Sequence, residues 1–359
     1  MGVGARRGVI LSMGEDDGRR WPLRPLRREL APVANTALIA LQMKALSDVG
    51  IHEIAIVGDA ELAGAAREAA HEVVPDVDLV HIASPEEPGL ARLLLAVEPF
   101  VGNRPFVAEL AASLTPHDLG RSMELLVRKR LAAVVVVAQT KQRDTQVALL
   151  RVAGPFDAVG VRCLGEEVLT SANAFVFGTG VFDAARAAVE GRPDEAVGVT
   201  DVLDVLAEDP DQVQAVLPTG WSKRLDDVED LLDLNRLALD SIGPEEAAVE
   251  SSGNRIMGPV LVDETATIES SVLNGPVAIA AGAHITDSYV GPYTAIGSRA
   301  RIDGAEIERS VVLPDAAVNS VGFRIEGSVI GARASITREF APPRALKLWI
   351  GQDASVSLA

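Results

Sequence analysis

Lysine is almost missing from this chain. Only five of the 33 basic residues are lysines (Lys44, Lys129, Lys141, Lys223 and Lys347), so chemistry that needs a lysine has few places to reside. Cysteine is rarer still. The single Cys163 excludes a disulfide framework and a cysteine-based zinc site, and it reads as a small buried hydrophobe. Trp21, Trp221 and Trp349 are too few and too dispersed for an aromatic carbohydrate platform. The histidines (His52, His71, His81, His117 and His284) lack metal-ligand spacing. Positive charge is also short: 51 acidic residues leave a net charge of −18, which repels nucleic acid and anionic membranes as partners. There is no long apolar run. The N-terminus MGVGARRGVILSMGEDD has a basic start but turns acidic after a short apolar stretch, so neither a secretory signal nor a membrane span is expected. MGVGAR lacks the Ser or Thr that a myristoylation start would carry at its sixth position. A cytoplasmic protein is expected.

At 359 residues the chain is long for one core, and its patterning changes part-way along. Residues 8–240 alternate short β-branched runs with amphipathic segments. GVILSM, IHEIAIVG, DLVHIA, FVAELA and AAVVVVA read as strands, with helices expected over 37–50, 60–71, 88–98, 116–130 and 228–243. VALLRVA, AVGVRCL and NAFVFG suggest extra strands beside or above the sheet. Such alternation with continuously apolar strands predicts a Rossmann-like α/β domain with a mixed, mostly parallel sheet over residues 1–243. A polar linker follows at 244–252.

Residues 253–359 obey another rule. Val262, Ile279, Ile296, Leu313 and Ile330 lie 17 residues apart. Ile268, Ile285, Ile302 and Ile336 share a second register, with Asn319 in the intervening slot. Ile256, Leu273, Val290 and Ile307 make a third, which slips at Arg324/Ile325. Fourteen of the fifteen slots are apolar, recurring every 6, 6 and 5 residues, so each coil is expected to bury one position per short strand against its neighbours. This repeat resembles the hexapeptide left-handed parallel β-helix. His284 precedes the inward Ile285 and is expected to face solvent, which argues against the coil-borne histidine base of an acyltransferase.

An α/β domain followed by a left-handed β-helix resembles the sugar-1-phosphate nucleotidyltransferases, in particular the long glucose-1-phosphate thymidylyltransferases. The resemblance is carried by ELAPVANTALIALQMKALSDVGIHEIAIVGD, EEPGLARLLLAVEPFVGNRPFVAEL, VTDVLDVL, VEDLLDLNRLAL and the tail SVIGARASITREFAPPRALKLWIGQDASVSL, which together span most of the chain. It implies attack by a sugar-1-phosphate oxygen on a nucleoside triphosphate, with release of pyrophosphate. That reaction needs phosphoryl oxygens gathered by cations and a divalent metal.

The residues that should do this are altered. The glycine-rich phosphate turn corresponds to Met13, Gly14, Glu15, Asp16, Asp17 and Gly18, followed by Arg19 and Arg20. Two unit anions about 4 Å apart repel by about 4 kcal/mol at an effective dielectric near 20, so this turn opposes a triphosphate. The family's proline-lysine pair becomes Arg27-Arg28, with Arg28 keeping the charge. Gly89 holds its place in the glycine-leucine-alanine segment. One metal-binding aspartate becomes Ala112, and its partner becomes Lys223 or Arg224. Neither alanine nor a basic side chain ligates Mg²⁺. Asp226 and Asp227 lie close by, at a helix start where acids are ordinarily caps. The sugar-phosphate lysine expected at 164–168 and the base-reading glutamine expected near Pro85 are also missing. The expectation is therefore a nucleotidyltransferase homologue with no resident cofactor, acting in regulation or scaffolding. It would bind a sugar phosphate, a nucleotide or an active paralogue, and would form homo-oligomers. The alternative is a divergent, Mg²⁺-dependent enzyme forming an NDP-sugar, with Arg28 catalytic and Arg19, Arg28 and Lys223 standing in for the lost cations.

Overall fold

A computed structural model describes residues 6–12, 21–23, 25–87, 89–115, 119–140, 168–190, 197–209, 211–216, 220–242 and 253–338. Cys163, VALLRVA, AVGVRCL, the linker and the tail beyond residue 338 lie outside these described residues.

The chain enters through β1 (Arg7–Leu11) and reaches a 3-10 turn at Arg28–Leu30. A small hairpin of β2 (Pro32–Val33) and β3 (Thr36–Ala37) leads into α1 (Leu38–Asp48). There follow β4 (Glu53–Gly58), α2 (Ala60–Val73), β5 (Asp78–Ala83), α3 (Leu90–Val101), β6 (Phe106–Leu110) and β7 (Ser113–Leu114). Then come α4 (Leu119–Lys129), β8 (Ala133–Thr140), β9 (Val168–Phe177), α5 (Val181–Glu190), α6 (Val199–Leu206), β10 (Val213–Val216), β11 (Lys223–Arg224) and α7 (Val228–Asp240). Seven strands form one sheet in the order β10-β8-β9-β6-β1-β4-β5. Its pairings are parallel except that β9 runs antiparallel between β6 and β8, so NAFVFG is an inserted strand of the sheet.

Strand alternation divides the core. Val9, Leu11, Phe106, Ala108, Phe175 and Phe177 face α3, α5 and α6, while Ile10, Val107, Val134, Ala174 and Val176 face α1, α2 and α4. Phe106 stacks on Phe182 at 5.6 Å, and Phe175 stacks on Phe177 at 5.5 Å. A third cluster forms under α7 from Trp21, Ala31, Val33, Leu38, Ala112, Leu114, Leu225, Leu231 and Leu234.

Residues 255–337 form fifteen short strands, β12 to β26, in three parallel five-stranded rows: β12-β15-β18-β21-β24, β13-β16-β19-β22-β25 and β14-β17-β20-β23-β26. This is a three-faced parallel β-helix with one apolar core. Coils approach so closely that a Cβ on Gly297 would meet the Val312 carbonyl oxygen at 2.7 Å.

The register corrects two slots. Ile296 pairs with Val312, not Leu313, and Val312 with Ile330. Ile302 pairs with Val318, not Asn319, and Val318 with Ile336. The corner after Ile307 is one residue short, whereas the corner leading from Val318 to Ile325 is two residues long. The corner after Ile325 is again one residue short, so a constant 17-residue count averages over all three. His284 is exposed, as its position before Ile285 requires.

The domains meet along the middle row of the solenoid, with α7 against β19 (Thr294–Ile296). Among the outward positions of that row, Ala278, Ala295 and Val311 are buried while Leu261 on its first strand is exposed, and Val329 packs on the cluster under α7. Small side chains there let α7 approach the coil backbone.

Candidate functional site

In an open α/β sheet, ligands gather beyond the carboxyl ends of the strands, where the strand order reverses. Here that place lies past β1, flanked by β4 and β6. Ser12 extends β1, with its amide donating to the Val57 carbonyl at 2.9 Å. Its hydroxyl donates to Glu29 Oε1 at 2.8 Å, and both side chains are buried. Arg27 enters the 3-10 turn with its side chain only 8% exposed. Its Nη1 donates to Asp59 Oδ2 at 2.6 Å, and its Nη2 lies 3.7 Å from Glu29 Oε1. Asp59 also caps α2 by accepting from the Leu62 amide at 2.8 Å. Burial raises the Asp59 carboxyl, but the Leu62 amide and Arg27 outweigh it and hold the carboxyl below its ordinary value. A chain of polar groups, Ser12–Glu29–Arg27–Asp59, thus crosses the ends of β1 and β4.

The other wall is built by the turn after β6. The Ala111 amide donates to the Leu11 carbonyl at 2.9 Å, and Ala112 adopts a left-handed φ of 59° that few non-glycine residues take. β7 then pairs antiparallel with β11, setting Ser113 against Arg224 and Leu114 against Lys223. The Leu225 amide donates to the Ala112 carbonyl at 2.8 Å. Ala112 and the Lys223–Arg224 pair are therefore neighbours in space although about 110 residues apart.

Their chemistry is cationic or apolar. Lys223 Nζ lies 2.6 Å from Asp230 Oδ1 and 3.2 Å from Asp233 Oδ2, both on α7. Burial lowers the Lys223 ammonium, but the two aspartates raise it further, so its pKa ends above the usual lysine value. Arg224 Nε donates to Asp226 Oδ1 at 2.8 Å. Asp227 caps α7 through the Asp230 amide at 2.9 Å, while Asp230 Oδ2 accepts from the Asp226 amide at 2.9 Å. Asp226 and Asp227 are thus committed to a salt bridge and a helix start. Ala112 itself, 8% exposed, belongs to the apolar cluster under α7. A divalent cation does not fit this set of residues, and among the described residues no group of three or more His, Cys, Asp or Glu could hold a metal ion.

Of the remaining sequence candidates, Arg28 opens the 3-10 turn and is half-buried. Gly89 sits at the N-cap of α3 with φ 123°, a conformation that suits glycine. Met13, Gly14, Gly18 and Arg19 lie outside the described residues. Sequence reasoning did not single out Ser12, Glu29 or Asp59. Asp59 carried a readable signal, an acid between a strand and a helical run. Glu29 carried none, because its burial depends on a partner seventeen residues away.

Close beneath this region lies Glu109, 1% exposed on β6. Neither of its carboxyl oxygens has a hydrogen-bond partner of ordinary geometry, and the Oε1 of neighbouring Gln42 also lacks one. Gln42 spends its amide on the Leu110 carbonyl at 3.0 Å. Burial pushes the Glu109 carboxyl up to about 8, and Gln42 offsets this only in part.

No protein-family model matches the chain. Over 357 residues it is 26% identical to a glucose-1-phosphate thymidylyltransferase of Streptomyces antibioticus, covering 98% of this chain and 99% of the other. It is 28% identical over 370 residues to the low-salt glycan biosynthesis nucleotidyltransferase Agl11 of Haloferax volcanii, covering 98% of this chain and 100% of the other. Over nearly its full length this chain is similar to these two nucleotidyltransferases. That similarity runs through both the α/β part and the solenoid. Among solved structures, a Bacillus anthracis protein provisionally described as a glucose-1-phosphate thymidylyltransferase, in complex with sucrose, superposes with a TM-score of 0.53 at 18% identity. It covers 65% of this chain and 95% of its own, a likeness of fold. Among the described residues, no helix of this chain is long and apolar enough to cross a membrane.

Proposed function

We propose that this chain is a nucleotidyltransferase-like protein without the Mg²⁺-dependent pyrophosphorylase reaction, acting as a regulatory or scaffolding homologue. Its ligand is a sugar phosphate or a nucleotide, and its partners are an active paralogue or further copies of itself. The observation that carries this reading is the junction of β7 and β11, where Lys223 and Arg224 pair with Leu114 and Ser113 and the Ala112 carbonyl accepts from the Leu225 amide. The resemblance assigns two metal carboxylates to these positions, and here one is a methyl group among apolar neighbours while the other is a cation. The nearby cations offer no simple substitute. Arg27, Lys223 and Arg224 are each engaged by carboxylates of the chain itself, so a phosphate would have to displace them.

The test is a pyrophosphate-release assay with the common nucleoside triphosphates, glucose-1-phosphate and Mg²⁺, alongside calorimetric titration with dTTP and UTP. The expected result is no turnover, with any nucleotide binding unchanged by EDTA. Turnover at an ordinary enzymatic rate that is lost in Arg28→Ala would overturn the reading in favour of a divergent, Mg²⁺-dependent enzyme.

A further inference from the structure

Two asparagines join the cleft to the solenoid. Asn235, on α7 and fully buried, uses both ends of its amide. Its Oδ1 accepts from the Ala34 amide at 2.9 Å, and its Nδ2 donates to the Tyr293 carbonyl at 3.0 Å. Asn35 Nδ2 donates to the Ala278 carbonyl at 3.0 Å. Ala34 and Asn35 form the β2–β3 turn, and both have left-handed backbone, with φ of 48° and 65°. Asparagine tolerates that conformation and alanine resists it, so the turn needs outside support. Seven residues upstream of Ala34 stands Arg27, the cation that bridges Glu29 and Asp59. The intervening backbone is short and tied: the Ala31 amide donates to the Arg28 carbonyl, and the Leu38 amide to the Ala31 carbonyl, at 3.1 and 3.0 Å. Tyr293 adds a second tether, because its hydroxyl bonds Asp240 at the far end of α7.

We infer that the solenoid serves as a brace for the cleft loop 27–37, and that Asn235 and Asn35 are its positioning residues. A buried amide that satisfies one domain with each end fails when either domain shifts, because a buried polar group left without its partner is costly. The brace makes the conformation of Arg27–Glu29 dependent on coil contacts that never touch the cleft. This holds whether or not the cleft performs a reaction.

Hydrogen exchange followed by mass spectrometry on the full chain tests it. Asn235→Asp keeps an acceptor for the Ala34 amide but removes the donor to Tyr293. Asn35→Gly removes the other donor and leaves a left-handed φ accessible. Both are expected to speed exchange across residues 28–38 at least tenfold while β1, β4 and β6 stay protected. Arg324→Ala, which breaks an exposed solenoid ion pair with Glu306 on another row, leaves exchange at 28–38 unchanged. If Asn235→Asp does not fold, Asn35→Gly decides. Wild-type exchange at 28–38 in a folded Asn35→Gly chain would overturn the brace.

Discussion

The two domains treat their exceptions in opposite ways. The α/β domain buries its own: Glu109 sits 1% exposed in a face otherwise lined by Ile10, Met43, Val107 and Ala174. The solenoid expels its own: the two residues too many between Val318 and Ile325 become a corner carrying Phe323, which is 82% exposed. A sheet covered by helices on both faces has no open side, so an off-pattern side chain must be neutralised where it stands. A coil contacts only its neighbours, and its corners open to water, so length errors are shed there without disturbing the rows. The same contrast governs how damage spreads through each domain.

The largest effect should come from Phe106→Ala, which removes a ring stacked on Phe182 and tilted against Phe177. A loss of about 3–5 kcal/mol is expected. It should appear in denaturant melts as a lower midpoint for the whole α/β domain, with the solenoid transition unmoved. A shared drop in both transitions would erase the distinction between the domains.

Next comes pH. The folded chain holds a proton on Glu109 that the unfolded chain releases above its ordinary value of 4.5. Stability from this group is therefore complete below about 4.5 and is lost as pH rises towards about 8. Glu109→Gln keeps the shape without the proton. The variant should gain on the wild type by a few kcal/mol between pH 5 and pH 9. Thermal melts at the two pH values that stay parallel for both chains would mean that Glu109 is not held neutral. The smallest effect is expected at the expelled exception: Phe323→Ser should change stability by no more than about 0.5 kcal/mol. A larger loss in calorimetry would show that the corner is packed after all.

Much of the fold was legible because its signals are local. Helix and strand periodicity located the elements of the sheet, and apolar slots located the three rows. Leu313 and Asn319 were misplaced because a slot depends on the length of the preceding corner, and Leu313 and Val312 are equally apolar. The site was legible only where a residue type forbids something, as alanine forbids ligation at Ala112. The Ser12–Glu29–Arg27–Asp59 chain was not legible as a unit: Asp59 and Arg27 carried separate local signals, but the bonds join the end of β1, the 3-10 turn and the start of α2, which are far apart in sequence. Glu109 was placed on its strand, but its neutrality comes from burial against elements distant in sequence, which Gln42 from α1 opposes only in part.

The junction between the domains has one more consequence. Asn35 and Asn235 reach across to the carbonyl oxygens of Ala278 and Tyr293, which are main-chain atoms present whatever side chains the coils carry. Recognition of the solenoid through these bonds is thus blind to its amino-acid identity. Coils of different sequence but equal spacing could be exchanged onto this α/β domain, provided that the small residues at Ala278 and Ala295 are kept.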